Sequence, residues 1–173
     1  DEGLEQVDRR NADDGGGELD LEHRGVDVRQ PFGLIGMIFE PQPREFFAPA
    51  SAPVRLSRLR DKVQLLADAG VDQVLCLAFN QRLRELSASA FVQAVLVDGL
   101  GVKHLEIGDD FRFGCDRSGD FAFLQQAGAA AGFTVEEAAT VELTGSRVSS
   151  TRVREALQAA DFAQAEHLLG RPF

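Results

Sequence analysis

A chain of 173 residues with 44 % hydrophobic content is long enough for one ordinary domain with a real core, and none of its apolar runs approaches the roughly 20 residues of a membrane-spanning helix. The formal net charge of −10 argues against non-specific nucleic-acid binding, which needs a basic surface, although a local arginine cluster can still hold a phosphorylated small molecule. No segment has the layout of a signal peptide, so the cytoplasm is expected, with Cys76 and Cys115 as reduced thiols outside any disulfide framework or metal-ligand spacing.

Composition shifts near residue 36. Residues 1–36 hold ten acidic residues against four arginines, include the glycine run 15–17, and show no sustained apolar period. The alternation at 19–21 and 26–28 is too brief for a strand, and low hydrophobicity with excess charge predicts disorder. The first residue is Asp1, as expected for a fragment or a processed product.

From Met37 onward the pattern alternates between strand and helix. Residues 37–39 form a short apolar run ended by Glu40, Pro41, Gln42 and Pro43, a strand and then a turn. Ser57 is placed to cap a helix with Leu59, Val63 and Leu66 on one face, closed by Gly70. The apolar run 74–79 predicts a strand covered on both faces. Ser87 is placed to cap a helix that buries Phe91, Val92, Val95 and Leu96. Residues 104–107 predict the next strand, and a helix carrying Phe121, Leu124 and Ala131 ends around Gly132. Val141, Leu143 and Val148 suggest a last strand region around a turn at Thr144 and Gly145. Two closing helices follow, 151–159 and 161–169, the second opened by Asp161 and closed by Gly170.

This alternation predicts an α/β fold with an open, doubly wound parallel sheet and helices on both faces. Ligands in such folds sit beyond the carboxyl ends of the strands, here the loops after residues 39, 79, 107 and 148.

Three constellations occupy those loops. Arg147, Ser149, Ser150, Thr151 and Arg154 gather where a strand turns into a helix, so hydroxyls, free backbone N–H groups and the positive end of the helix dipole converge. Arginine forks match phosphate oxygens in pairs, which makes this a candidate pyrophosphate or triphosphate site; an ordinary capped helix with solvated arginines is the alternative. The loop GDDFRFG at 108–114 offers Asp110 and two aromatics between glycines. A flat ligand could stack on one Phe while Asp110 accepts ring N–H groups, or both phenylalanines could pack into the core. The stretch FEPQPREFF at 39–47 is stiffened by prolines, and its phenylalanines either wall a flat ligand or anchor the core. His23, His104 and His167 lie far apart and have no metal-ligand neighbours, so surface or packing roles are expected.

Taken in order, FEPQPREFF, GDDFRFG and RVSSTRVREAL (147–157) resemble the FMN adenylyltransferase module of the prokaryotic bifunctional FAD synthetases, over residues 37–173. The resemblance implies a nucleotidyltransferase-type, Rossmann-like sandwich that transfers AMP from Mg-ATP to FMN, giving FAD and pyrophosphate. It implies that Arg147, Ser150, Thr151 and Arg154 hold the ATP phosphates with Ser149 beside them, and that Asp110, Phe113, Phe39 and Phe47 contact the flavin. Mg²⁺ would be bridged largely by ATP oxygens. A riboflavin kinase domain would follow the module in the parent protein, with no kinase activity assigned to this chain.

The family module opens with a central strand and a glycine-rich turn carrying an HxGH pair, which residues 1–36 do not match; His23, Arg24 and Gly25 supply one histidine only. We therefore expect residues 1–36 not to be the native start of the module, as a frameshift or a misassigned start would produce. The departure also sets two alternatives beside the enzyme: a non-catalytic remnant that binds flavin or nucleotide, and an adenylyltransferase with another phosphorylated acceptor, against which GDDFRFG speaks.

Overall fold

The computed structural model describes residues 33–173 apart from Asp109 and Asp116. The reading of residues 1–32 as irregular, and His23 with it, lies outside the described residues.

Strand β1 (Ile35–Glu40) starts two residues earlier than its apolar run suggests, because Ile35 and Gly36 continue the ladder with β2 (Gln73–Ala78). The two run parallel, in register from Ile35 opposite Gln73 to Glu40 opposite Ala78. A parallel pair requires a crossover, and α1 (Pro43–Phe47), a 3₁₀ turn (Pro49–Ser51) and α2 (Leu59–Asp68) supply it. The strand period of two sends Met37, Phe39, Leu75 and Leu77 to one side, where they join the main hydrophobic cluster. Gly36 lies on the other side, where a Cβ would meet Val71 Cγ1 at 3.3 Å and Leu66 Cδ1 at 3.6 Å. The expectation that run 74–79 is covered on both faces fails at its carboxyl end, where Cys76 and Ala78 are exposed. Helix α2 is capped at Arg58 rather than Ser57. It turns Leu66 inward and leaves Val63 exposed.

The core is built on the next segment. A short α3 (Gln81–Glu85) is capped by the Asn80 side chain. Ser87 Oγ then accepts the Ala90 N–H at 3.1 Å and opens α4 (Ala88–Phe91), which widens into a π-helical stretch (Val92–Gly99). Phe91, Val92, Val95 and Leu96 are buried, as their spacing predicts. Strand β3 (His104–Ile107) pairs in parallel with β4 (Thr134–Glu137), and α5 (Phe121–Ala131) is the crossover between them. Asp120 caps α5 through the Phe123 N–H at 2.8 Å, Leu124 is fully buried, and Gly132 ends the helix at φ +83. Strand β4 is not legible in the sequence, since Val135 is the one apolar residue among Thr134, Glu136 and Glu137; its partner β3 makes it a strand. His104 is tied into this pair, with Nδ1 2.8 Å from Thr134 Oγ1.

The expected last strand region around Thr144 and Gly145 is a small antiparallel hairpin, β5 (Glu142–Leu143) and β6 (Ser146–Arg147), turning through those two residues at positive φ. Helices α6 (Ser150–Gln158) and α7 (Phe162–Leu169) close the chain, packed through Val153, Ala156, Ala165 and Leu168. Asp161 opens α7 and Gly170 closes it, as predicted. The architecture is thus α/β with parallel strand pairs joined by helical crossovers. Among the described residues β1–β2 and β3–β4 are separate ladders, and both pack against one hydrophobic cluster. No described helix is long and apolar enough to cross a membrane.

Candidate functional site

The carboxyl ends of β1 and β2 carry an aromatic group. Pro43 occupies the first turn of α1, where its missing N–H costs nothing, and this turns FEPQPREFF into a compact helix rather than an open loop. Phe46 and Phe47 are thereby returned toward β2. Their rings lie 5.4 and 5.7 Å from that of Phe79, and that of Phe39 lies 6.0 Å from it, all edge-on. Phe47 is 58 % exposed, and the Arg84 guanidinium lies 5.5 Å over its ring. The predicted pair Phe39 and Phe47 therefore meets through Phe79, the last residue of the apolar run 74–79. Phe47 thus presents exposed aromatic surface with a cation over its ring.

A carboxylate–arginine clamp braces the same turn. Arg55 donates from Nε to Glu45 Oε1 at 2.5 Å, and its Nη2 bridges Glu40 Oε1 and Glu45 Oε2. Glu45 Oε2 also accepts the Gln42 N–H at 3.0 Å. The hydrogen bond from Arg55 holds the Glu45 carboxyl below the usual carboxylate range, against the opposing effect of burial. The two carboxylates in turn raise the Arg55 guanidinium above its ordinary value. Nearby, desolvation of the sulfur pushes the Cys76 thiol up, although the residue as a whole is exposed. A raised thiol is a poor nucleophile.

The GDDFRFG loop resolves in favour of packing for Phe113. Phe113 is 8 % exposed, and its ring is enclosed by Phe91, Phe111 and Phe123 at 5.4, 5.5 and 5.9 Å. Gly119 makes room for it, since a Cβ there would lie 2.5 Å from the Phe113 ring, and the two residues exchange backbone hydrogen bonds at 3.0 and 3.1 Å. Gly114 sits at φ +82, with space for a Cβ blocked by the Ala88 backbone nitrogen at 2.8 Å. Phe111 stacks on Phe113 at an interplanar angle of 20° and is half-buried, whereas Asp110 is exposed. Asp109 lies outside the described residues. Phe113 thus stands in a different aromatic group from Phe39 and Phe47.

The third constellation spans β6 and the first turns of α6. Ser149 is the cap of α6, its Oγ accepting the Arg152 N–H at 3.3 Å, so its hydroxyl is committed to the helix. Arg152 Nη1 donates to the carbonyls of Ser146 and Arg147 at 3.1 and 2.9 Å and fixes the hairpin against the helix start. Ser150 and Thr151 stand exposed in the first turn, and Arg147 is exposed on the strand side. Arg154, half-buried one turn on, donates from Nε to the Val54 carbonyl at 2.7 Å. That contact ties α6 to the segment after the aromatic turn, across 100 positions of sequence. Hydroxyls, a helix N-terminus and two arginines together can hold an anion. Sequence reasoning missed Arg55, Arg84 and the Arg154–Val54 contact, because none belongs to a motif or a period.

The chain is an α/β protein of parallel strand pairs, with an aromatic group at the ends of β1 and β2 and with hydroxyls and arginines around the start of α6. The family model described as FAD synthetase matches residues 28–152, beginning upstream of Met37, and the chain belongs to that family. It is 64 % identical over 153 residues to a bifunctional riboflavin kinase/FMN adenylyltransferase of Pseudomonas fluorescens, covering 88 % of this chain and 48 % of that protein. It is 52 % identical over 140 residues to the protein so described in Escherichia coli K12, covering 81 % and 45 %. Against that of Haemophilus influenzae the figures are 47 % over 153 residues, 88 % and 49 %. The chain thus spans about half the length of these relatives. A solved structure described as a macrolide-efflux protein from Streptococcus pneumoniae superposes with a TM-score of 0.68 at 23 % identity, over 81 % of this chain and 45 % of that one, a likeness of fold alone.

Proposed function

We propose that residues 37–173 are an FMN adenylyltransferase module that transfers AMP from Mg-ATP to FMN, giving FAD and pyrophosphate. The observation that carries the reading is membership of the FAD synthetase family, in a chain whose α6 begins with Ser150 and Thr151 and carries Arg154 one turn on, directly after the hairpin that holds Arg147. An FMN phosphate oxygen forms a bond to the α-phosphorus of ATP as the bond to the bridging oxygen breaks, and pyrophosphate leaves. No covalent enzyme intermediate is needed, so the protein supplies position and positive charge. Arg147 and Arg154 offset charge on the departing pyrophosphate, and Ser150 and Thr151 with the first-turn N–H groups orient it. Phe39 and Phe47, braced by Phe79, offer the isoalloxazine a wall, and Asp110 accepts from its ring N–H. Phe113 acts from beneath, by packing Phe111. Mg²⁺ would be held largely by ATP oxygens, where it would offset phosphate charge.

We further infer a doubly wound sheet of the nucleotidyltransferase type. Met37 and Phe39 of β1 and Leu105 and Ile107 of β3 pack against one cluster, and a strand between the two pairs would join them into one sheet. The riboflavin kinase activity named for the relatives is assigned to a separate C-terminal domain of a parent protein, and a cytoplasmic location accords with the substrates.

FAD formation by the purified chain with FMN, ATP and Mg²⁺, resolved by chromatography, tests the reading. FAD above a protein-free blank, lost in Arg154→Ala, supports it. The departure of residues 1–36 from the HxGH pattern favours a second reading, a flavin- or nucleotide-binding module without turnover. A folded sample that quenches flavin fluorescence and forms no FAD would establish that reading instead.

A further inference from the structure

Arg154 and Arg55 meet through a single residue. The Val54 carbonyl accepts from Arg154 Nε at 2.7 Å, and the next residue, Arg55, is bound by Glu40 and Glu45. The Val54 side chain cannot fix that carbonyl, being 77 % exposed. The segment from Ala52 to Arg58 lies outside any helix or strand, so its backbone is not held by a ladder. The Arg55 fork ties it to β1 and α1. One partner, Glu40, ends β1, and the other, Glu45, sits in α1, whose N-terminal N–H at Gln42 it also caps. A planar guanidinium bound along two edges has little freedom, and it passes that restriction to the adjoining peptide.

We infer that Arg55 is a positioning residue for phosphate binding, setting the orientation of Arg154 through the Val54 carbonyl. The inference rests on the proposed role of Arg154 at the ATP phosphates. With Nε committed to Val54, the guanidinium plane of Arg154 is fixed and its two terminal nitrogens remain for an anion. Without Arg55, Glu40 and Glu45 become two uncompensated carboxylates, one of them already carrying a buried oxygen, Oε2, with no partner among the described residues. The 52–58 segment loosens, and Arg154 loses the acceptor that aims it. The dependence requires the fork and not merely the charge, because an ammonium cannot bridge both carboxylates in one plane.

Two measurements on the full chain test this. The first needs no ligand: exchange of the Arg154 Nε–H with solvent, followed by NMR, is expected to be slow in the parent and at least about tenfold faster in Arg55→Lys and Arg55→Ala, as loss of a well-made hydrogen bond implies. Unchanged protection in a folded Arg55→Lys overturns the inference. The second is a double-mutant cycle on Mg-ATP affinity. Arg55→Lys is expected to weaken Mg-ATP binding about tenfold with FMN affinity unchanged, and to add nothing in an Arg154→Ala background, since coupled residues are not additive. Additive losses, or equal losses for FMN and ATP, would reduce Arg55 to a structural brace and overturn it. If Arg154→Ala leaves Mg-ATP affinity unaltered, the phosphate role of Arg154 is what fails, and the exchange measurement still decides whether Arg55 aims it.

Discussion

Replacing Phe113 by alanine separates packing from ligand contact at the GDDFRFG loop. The ring is 8 % exposed, lies within 6 Å of three other phenylalanine rings, and is seated on Gly119. Truncating such a side chain removes its burial and leaves a cavity that the surrounding rings fill only in part, a cost of about 3–5 kcal/mol. In a chain of this size each kcal/mol moves the midpoint of thermal unfolding by about 2–4 °C, so the expected fall is about 6–20 °C. The assay is a melt monitored by circular dichroism, with flavin fluorescence quenching measured well below the midpoint. Folded Phe113→Ala is expected to retain FMN binding, weakened only through the loosened Phe111. A midpoint within about 2 °C of the parent, with FMN binding abolished, would refute the reasoning, because it would mean the ring meets the flavin and contributes little to the core.

Three further outcomes follow from the same geometry. Arg154→Ala should raise the Mg-ATP KM about ten- to a hundredfold, the worth of a charge-assisted hydrogen bond, while shifting the melt little; a normal KM would remove it from the site. Asp120→Ala removes the acceptor for the Phe123 N–H and should cost about 1 kcal/mol of stability with ligand affinities unchanged, as read by denaturant unfolding. Glu45 binds its proton less readily folded than unfolded, because Arg55 holds its carboxyl below 4.5. Its contribution is therefore complete above that value and fades as pH falls through the lowered folded pKa. Glu45→Gln should flatten stability against pH in the window below 4.5, and parallel slopes for parent and variant would count against the clamp.

Much of the fold was legible because it rests on local rules. Ser87, Asp161, Gly132 and Gly170 mark helix ends through capping and left-handed geometry, which depend on neighbours in sequence. Phe91, Val92, Val95 and Leu96 follow a helical stripe and are buried together. What failed was non-local. Val135 stands alone among polar residues, and only pairing with β3 makes 134–137 a strand.

The sequence by itself determined the helix ends, the apolar stripes, the strand–helix alternation and the hydroxyl–arginine start of α6, since each is written in residues one or two turns apart. Tertiary structure alone decided that Phe113 belongs to the core while Phe47 stays exposed, that Phe79 joins Phe39 to Phe47, and that Arg154 reaches Val54. Those outcomes depend on which surfaces meet once parallel strands and their crossovers pack. A phenylalanine carries no local mark of whether its ring will close a core or face a ligand, and an arginine none of which distant carbonyl will take its proton.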